Sequence, residues 1–542
     1  MEIESLKQFS GISGRAFVPL VLILSLLIFA PFSGKRFSLD SPVSIHVARQ
    51  IAIDPINPPL GKFGNYLVPW NKTELPQTSV FYATPHPPLL QIYLAPFIAI
   101  FGENELLLNW LMFPFYILSV LFFYGCMNIL RIPFRKWLTL LFCVAPAVVI
   151  NSHDIMVDIP LCALTLGSFY FLFRNRKSSD AVMAGLMVAL AMLTKITAGT
   201  LFLAAGLFYV SLKSWRRLAL FLIPVILLYG AWCIQNLLVF GTLQITSNGH
   251  MRYIWGDIRY RFERMISYGG GTILFPGFPL ILAFIISSWR KPAILIFTAT
   301  SIWSILLVCH LDYSWSAAAF YSVCSASGLL ILIGTIQFFL YNRAQAEFKA
   351  LLLHTVLQLI GGLFLTLYAS RYLTPVLLSL FLGVAYLMKE IPAEKLRRTV
   401  FPVLLTAEIC LTVFLSIGDI VYSSIPYRLS RDLLAKYDSS LIRYAGRLGY
   451  LYYLDHSGMN YCQRGELPSK GELILRNTEN SDDEYLLQCI STRATPIDTF
   501  TYPLFTFSTV GGRAGFYGHD RLPFALLLGS PESRYILYQI SE

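Results

Sequence analysis

Charged side chains are scarce in this chain, making up 13% of its 542 residues against 56% hydrophobic ones. A soluble domain carries roughly a quarter charged residues, so a wholly soluble, globular protein is excluded. The short motifs of familiar soluble catalysts are missing as well. There is no P-loop, no GxGxxG after a strand, no HExxH, no pair of CxxC and no GxSxG. Nucleotide cradles, zinc-protease helices and nucleophile elbows are therefore not what this chain advertises. No repeat of fixed period and no low-complexity tract stands out. The first apolar run, Phe17–Ala30, follows Lys7 and Arg15 and lacks a small-residue cleavage site, so it reads as an uncleaved first span.

What the chain does have is a long series of apolar runs. Spans are expected at about 15–33, 105–129, 134–150, 156–174, 181–194, 197–212, 216–239, 272–289, 292–309, 316–340, 350–368, 372–388 and 399–418, each near the length that crosses a hydrocarbon core. That is an α-helical polytopic membrane protein with about 13 transmembrane helices. Basic clusters alternate with gaps between spans: Arg131/Arg135/Lys136, Arg174/Arg176/Lys177, Lys213/Arg216/Arg217, Arg290/Lys291 and Lys389/Lys395/Arg397/Arg398. Such loops stay in the cytoplasm. The net charge of +11 thus reads as orientation against an anionic leaflet rather than as nucleic-acid binding. An inside N-terminus and an odd span count put the C-terminus outside.

Three outside segments are long. Residues 34–104 include a shorter apolar run, Pro87–Ile100, which suits a helix lying in the interface. Residues 240–271 are rich in Arg and aromatics, including Arg252, Tyr253, Trp255, Arg259, Arg261 and Arg264. Residues 420–542 lose the long apolar runs, and alternating stretches such as Tyr450–Leu454, Glu472–Leu475 and Tyr535–Ile540 suggest a small α/β or β domain. The expected organisation is a transmembrane core over 1–419 and an extracytoplasmic C-terminal domain over 420–542. Seven of the nine cysteines sit in or beside apolar runs; Cys462 and Cys489 stand apart. Outside the cytoplasm that pair could be a disulfide or two buried thiols.

The outside gaps hold isolated polar groups instead of basic clusters: Asp40, His86, Asp154, Asp158, Lys195, His310, Asp312 and Arg371. Asp40, in Leu39-Asp40-Ser41-Pro42, suits a helix N-cap and equally a general base or metal ligand. Asp154 and Asp158 are four apart, so a continuous helix would stack them on one face. Two like charges there repel, which asks for a bound cation, a shared proton or basic neighbours from other loops. Lys195 and Arg371 are lone cations at span ends. Snorkelling accounts for either one; capture of an anionic phosphate is the sharper reading, because the Arg fork donates two parallel hydrogen bonds. His86 could add a donor. His310 and Asp312 fit a short polar turn better than a metal or relay site. Asn71-Lys72-Thr73 fits a glycosylation triplet that chance often supplies.

Several of these segments, in this order, resemble the GT-C superfamily of integral-membrane glycosyltransferases, in its protein O-mannosyltransferase and aminoarabinose-transferase branch. Leu39-Asp40 before Ala48-Arg49 is similar to the first-loop acidic motif, with Ser41 where a second acid often stands. His86-Pro87-Pro88-Leu89 followed by Phe101-Gly102 resembles Lys-Pro-Pro-Leu and its Phe-Gly. Asp158-Ile159-Pro160-Leu161, Leu193-Thr194-Lys195, Trp232-Cys233-Ile234-Gln235-Asn236 with Phe240-Gly241, and Arg371-Tyr372-Leu373 before Pro375 resemble the later elements. The likeness spans roughly residues 15–390. It implies sugar transfer from a polyprenyl-phosphate donor to a lipid, glycan or protein acceptor on the extracytoplasmic face, with inversion. Asp40 would be the base or its orienter and Asp158 would orient the acceptor, a base or a cation, while His86, Lys195, Arg371 and Asp154 would bind substrate or phosphate. No metal ligand set is assigned, and a divalent cation is left open. A bacterial inner membrane is the expected location. The competing class is a transporter or flippase, which should carry polar groups at span midplanes and repeated halves; a binding protein on a dead transferase core is a third.

Overall fold

The computed structural model describes residues 14–53, 86–240, 243, 258–311, 314–364, 369–444, 449–462, 469–478, 494–510, 514–517, 520–527 and 531–541. Asn71–Thr73, Arg252–Trp255, Asp312, Cys489 and the side chain of His310 lie outside the described residues.

Helices dominate, and the chain is an integral multi-pass membrane protein. Among the described residues seven helices are long and apolar enough to cross a bilayer: Glu105–Ile129, Trp215–Leu238, Ser288–Cys309, Trp315–Tyr341, Ala346–Leu363, Ser370–Met388 and Arg398–Leu434. Shorter apolar helices cover Ala16–Phe32, Leu89–Phe101, Ser178–Thr194 and Ile196–Ser211. Two expected spans depart from continuous helices. Over 134–150 the helix breaks at Ala145-Pro146 into Arg135–Val144 and Pro146–Ser152, with Ala145 extended, the backbone a following proline ring favours. Over 272–289 only Phe278–Ile285 is helical before a break at Ile286; left-handed Gly277 and Pro279 in the first turn delay its start. A helix Ile258–Thr272 precedes it. The last membrane helix also runs past the expected boundary, unbroken over Phe401–Leu434.

Local chemistry explains individual ends. The Asp158–Arg174 helix starts with an acid, tolerates Pro160 in its first turn, and stops at Asn175 in the left-handed region. Asp180 then accepts the backbone N–H groups of Arg176 and Lys177 at 2.8 and 3.0 Å and pairs with Arg174, which pins a basic turn. The Ile258–Thr272 and Trp315–Tyr341 helices cross where Gly270 faces Gly328. A Cβ at either position would overlap the other helix's backbone, the close approach that small residues permit inside membranes.

The C-terminal strands are β1 (Ile442–Tyr444), β2 (Asn460–Tyr461), β3 (Leu473–Asn477), β4 (Ala494–Pro503), β5 (Phe507–Ser508), β6 (Ala525–Leu526) and β7 (Glu532–Ile540). Five form a mixed sheet in the order β2-β1-β3-β7-β4, parallel from β2 to β3 and antiparallel from β3 to β4; β5 and β6 pair separately. Helix Gly449–His456 lies between β1 and β2 in sequence. The sheet's inner face (Tyr444, Leu475, Tyr535, Leu537) packs on Ile425, Leu429 and Leu433. The long helix thereby carries the sheet. Cys462 is buried between Ile474 and Ile540.

Candidate active site

Four of the expected site residues meet. Asp40 closes the turn after the first span, behind Leu39 in the left-handed region at φ 53°, and its carbonyl accepts the Ser44 N–H at 3.2 Å, which starts helix Ser41–Ile53. Its carboxylate turns to the Arg371 guanidinium at 3.0 Å. Arg371 lies in the Ser370–Val376 3-10 turn ahead of helix Leu377–Met388, and its Nε is 3.8 Å from Asp158. Asp158 opens its helix, where the positive end of the dipole favours a carboxylate, and receives the Lys195 ammonium at 2.9 Å. Lys195 caps the C-terminus of Ser178–Thr194, where a cation is equally favoured, and its ammonium lies 4.1 Å from the Tyr372 ring.

The result is a chain of alternating charge, Asp40–Arg371–Asp158–Lys195, drawn from four separate parts of the sequence. Its side chains are 3–8% exposed except Asp40, which is 45% exposed. His86 lies close enough to Asp158 to act on it electrostatically. Arg371 also donates to the Met156 sulfur at 3.1 Å.

Asp154 goes elsewhere. The expected helical stacking of Asp154 on Asp158 is not observed, because helix Pro146–Ser152 ends at His153 and the next begins at Asp158. The intervening turn sends the two acids to different partners. Of the three ways to relieve their repulsion, basic neighbours from other segments is the one observed. Asp154 accepts from Lys35 at 2.6 Å and from Ser38 at 3.2 Å, and also from the Tyr517 hydroxyl. Lys35 reaches Asp419 at 2.5 Å, and Thr509 donates to Asp419 at 2.7 Å. Burial works against the Lys35 ammonium, but Asp154 and Asp419 outweigh it and lift its pKa above the ordinary lysine value.

Lys35, Asp419, Thr509 and Tyr517 had not been picked out from the sequence. Two signals were present: Lys35 is a cation at the end of the first span that the charge alternation expects outside, against the positive-inside trend, and Asp419 is an acid in an apolar helix.

At the outer edge Arg49 pairs with Glu103 at 3.1 Å, and Glu103 accepts from Tyr452 at 2.6 Å. The His46 pKa falls to about 4 through burial, then the charges of Arg49 and His456. Among the described residues no group of three or more His, Cys, Asp or Glu side chains is placed to hold a metal ion.

Residues 85–239 match the family model described as dolichyl-phosphate-mannose-protein mannosyltransferase, a stretch that takes in the motifs at His86, Asp158, Lys195 and Trp232. This bears out the resemblance to GT-C membrane glycosyltransferases. Solved structures with a similar course include ArnT from Cupriavidus metallidurans bound to undecaprenyl phosphate, at 11% identity and TM-score 0.43 over 97% of this chain and 98% of that one. The same protein in its apo state matches at 12% identity and TM-score 0.44, with 97% of each chain covered. Arabinofuranosyltransferase AftD from Mycobacteria matches at 14% identity and TM-score 0.43 over 98% of this chain, which spans 40% of that one. No curated protein matches in sequence.

Proposed function

We propose that this chain transfers a sugar from a polyprenyl-phosphate donor to an acceptor hydroxyl at the extracytoplasmic face, with inversion at the anomeric carbon. The observation that carries the reading is the alternating chain Asp40–Arg371–Asp158–Lys195, exposed only at its Asp40 end. The match of residues 85–239 to a family described as transferring mannose from dolichyl phosphate supports the donor class.

The chemistry follows from the order of charges. The acceptor oxygen attacks the anomeric carbon, its proton passes to the Asp40 carboxylate, and the bond from that carbon to the phosphate oxygen breaks. The lipid phosphate departs with the bonding electrons. Arg371 links both ends of this event: in the resting protein it pairs with Asp40, and its planar fork suits a phosphate. Lys195 adds positive charge, and His86 a hydrogen-bond donor, where negative charge grows, an electrostatic role in a partly dry site. Asp158, held between Lys195 and Arg371, orients both. Asp154 supports the site from behind, in the Lys35 cluster. The N-terminus lies in the cytoplasm of a bacterial inner membrane in this reading.

Asp40→Asn keeps the shape and removes the base, so transfer from a polyprenyl-phosphate sugar should fall on the order of 10²-fold or more. Near-normal transfer by the purified variant would refute the base role. Comparing envelope glycans and lipids by mass spectrometry, from cells with and without the gene, names the sugar and the acceptor.

A further inference from the structure

The C-terminal stretch beyond β4 returns to the membrane core, where its described residues (505–510, 514–517 and 520–526) touch the last membrane helix, the turn at Asp154, the Ile258–Thr272 helix and the turn that carries Arg371. Gly418 has no Cβ where the Phe507 carbonyl lies against it. Thr509 donates to Asp419 at 2.7 Å. The Tyr517 hydroxyl donates to Asp154 and lies 3.4 Å from Asp419. Tyr268 donates to the Asp520 carbonyl, and Arg521 pairs with Glu263 at 3.1 Å. Gly515 N–H donates to the Leu522 carbonyl at 2.7 Å, which closes the stretch on itself.

Two contacts reach the site. Ser370, the residue before Arg371, donates twice to this stretch: its N–H to the Gly515 carbonyl at 3.4 Å and its hydroxyl to the Phe516 carbonyl at 3.1 Å. On the other side, Met156 contacts Arg371 and packs in one apolar cluster with Phe516, Tyr517 and Phe524. Arg371 is thus set from its backbone neighbour and from its side-chain contact by the same strap.

We propose that this strap is a positioning element of the transferase site: Tyr517, Gly515 and Ser370 hold the Arg371 guanidinium where it meets the donor phosphate. The inference rests on the donor-site reading above and assigns a part in it to the C-terminal stretch. A bidentate guanidinium contact is sensitive to orientation, so a shift of the turn at 369–376 weakens phosphate recognition while leaving the lipid tail's seat alone. Gly515 is the clearest lever. A Cβ there would overlap the Tyr268 hydroxyl and the Asp520 carbonyl, displacing the strap without changing any charge.

The test uses the full chain in detergent, with Gly515→Ala and Tyr517→Phe as strap variants and Asp498→Asn, on β4, as control. Two quantities are read: hydrogen–deuterium exchange over 369–376, and affinity for undecaprenyl phosphate relative to uncharged undecaprenol by native mass spectrometry. Both strap variants should speed exchange at 369–376 and lower the phosphate-over-alcohol preference about tenfold, with undecaprenol affinity and control values unchanged. Unaltered exchange overturns the strap while leaving the donor-site reading intact. Equal loss for both lipids overturns positioning in favour of a purely structural contact. A wild-type chain without preference for the phosphate refutes the donor-site reading instead, and the strap's hold on Arg371 is then decided by exchange alone.

Discussion

Two charge clusters of similar ingredients lie one behind the other in this molecule, and they are built for different work. The outer one alternates two acids with two cations and ends at Asp40, whose side chain is 45% exposed. The inner one sets a single lysine between two carboxylates, all three 1–2% exposed, and adds the hydroxyls of Tyr517 and Thr509. Ions taken fully out of water are held by good geometry alone, and breaking one pair strands the other charge. The inner knot therefore cannot trade partners. The outer chain can, because its Asp40 end is open to water. Exposure, more than charge, separates the proposed base from the group that fixes.

The sharpest break in that comparison is Lys35→Met. It leaves Asp154 and Asp419 facing each other without their cation, and loss of one partner from a buried ion pair costs about 3–5 kcal/mol. A large fall in thermal midpoint in detergent is expected, partly restored in the Lys35→Met/Asp419→Asn double variant, since residues sharing one network couple. Asp40→Asn should lose its turnover with almost no change in midpoint. A midpoint that barely moves in Lys35→Met would show the knot to be no anchor.

Swapping one cation for another sharpens the same contrast at smaller amplitude. Arg371→Lys keeps the charge but loses the fork that spans Asp40 and Asp158 at 3.0 and 3.8 Å. Affinity for a polyprenyl phosphate should drop about tenfold, the size of a lost charge-assisted hydrogen bond, with stability little changed. Lys35→Arg should do the reverse. The larger head has no room in the closed knot, and overpacking costs about 1–3 kcal/mol. Calorimetry with the lipid phosphate and a melting curve on each variant distinguish the two; loss of affinity in both, with equal melting, would mean the clusters act as one.

How much of this was legible beforehand depends on the kind of signal. Sidedness singled out Asp40, Asp158, Lys195 and Arg371, because lone polar groups in gaps between apolar runs are conspicuous, and the structure brings those four together. Asp419 was passed over for a boundary reason: the last span was expected to end at 418, whereas its helix continues to Leu434. Tyr517 and Thr509 carry no charge and stand 363 and 90 residues from the acids they serve. Nothing in local spacing reports such a contact. The pairing of Asp154 with Asp158 misled because spacing of four implies a shared face only in continuous helix, and the backbone leaves the helix between them. In the C-terminal region alternation announced the strands around Glu472–Leu475 and Tyr535–Ile540, but Tyr450–Leu454 lies in helix Gly449–His456, and no alternation told that the stretch after β4 would turn back to the membrane core.

The smallest effect belongs to the rim, outside both clusters. His46, on helix Ser41–Ile53, has its pKa depressed to about 4 by burial first, then by Arg49 and His456; Glu103 pairs with Arg49 and lies 3.7 Å from His456. An unfolded histidine titrates near 6.5. Between pH 6.5 and about 4 the unfolded chain takes up a proton that the folded chain refuses, so folding stability falls with pH across that window and levels off below it. His46→Gln cannot take up that proton. Its melting midpoint should therefore decline less steeply than wild type between pH 6.5 and 4.5, the two curves running parallel above pH 7.5. Parallel curves throughout would show that His46 titrates alike folded and unfolded. The Arg49–Glu103 edge would then be as open to water as Asp40, and the boundary between reacting and fixing groups would have to be drawn further in.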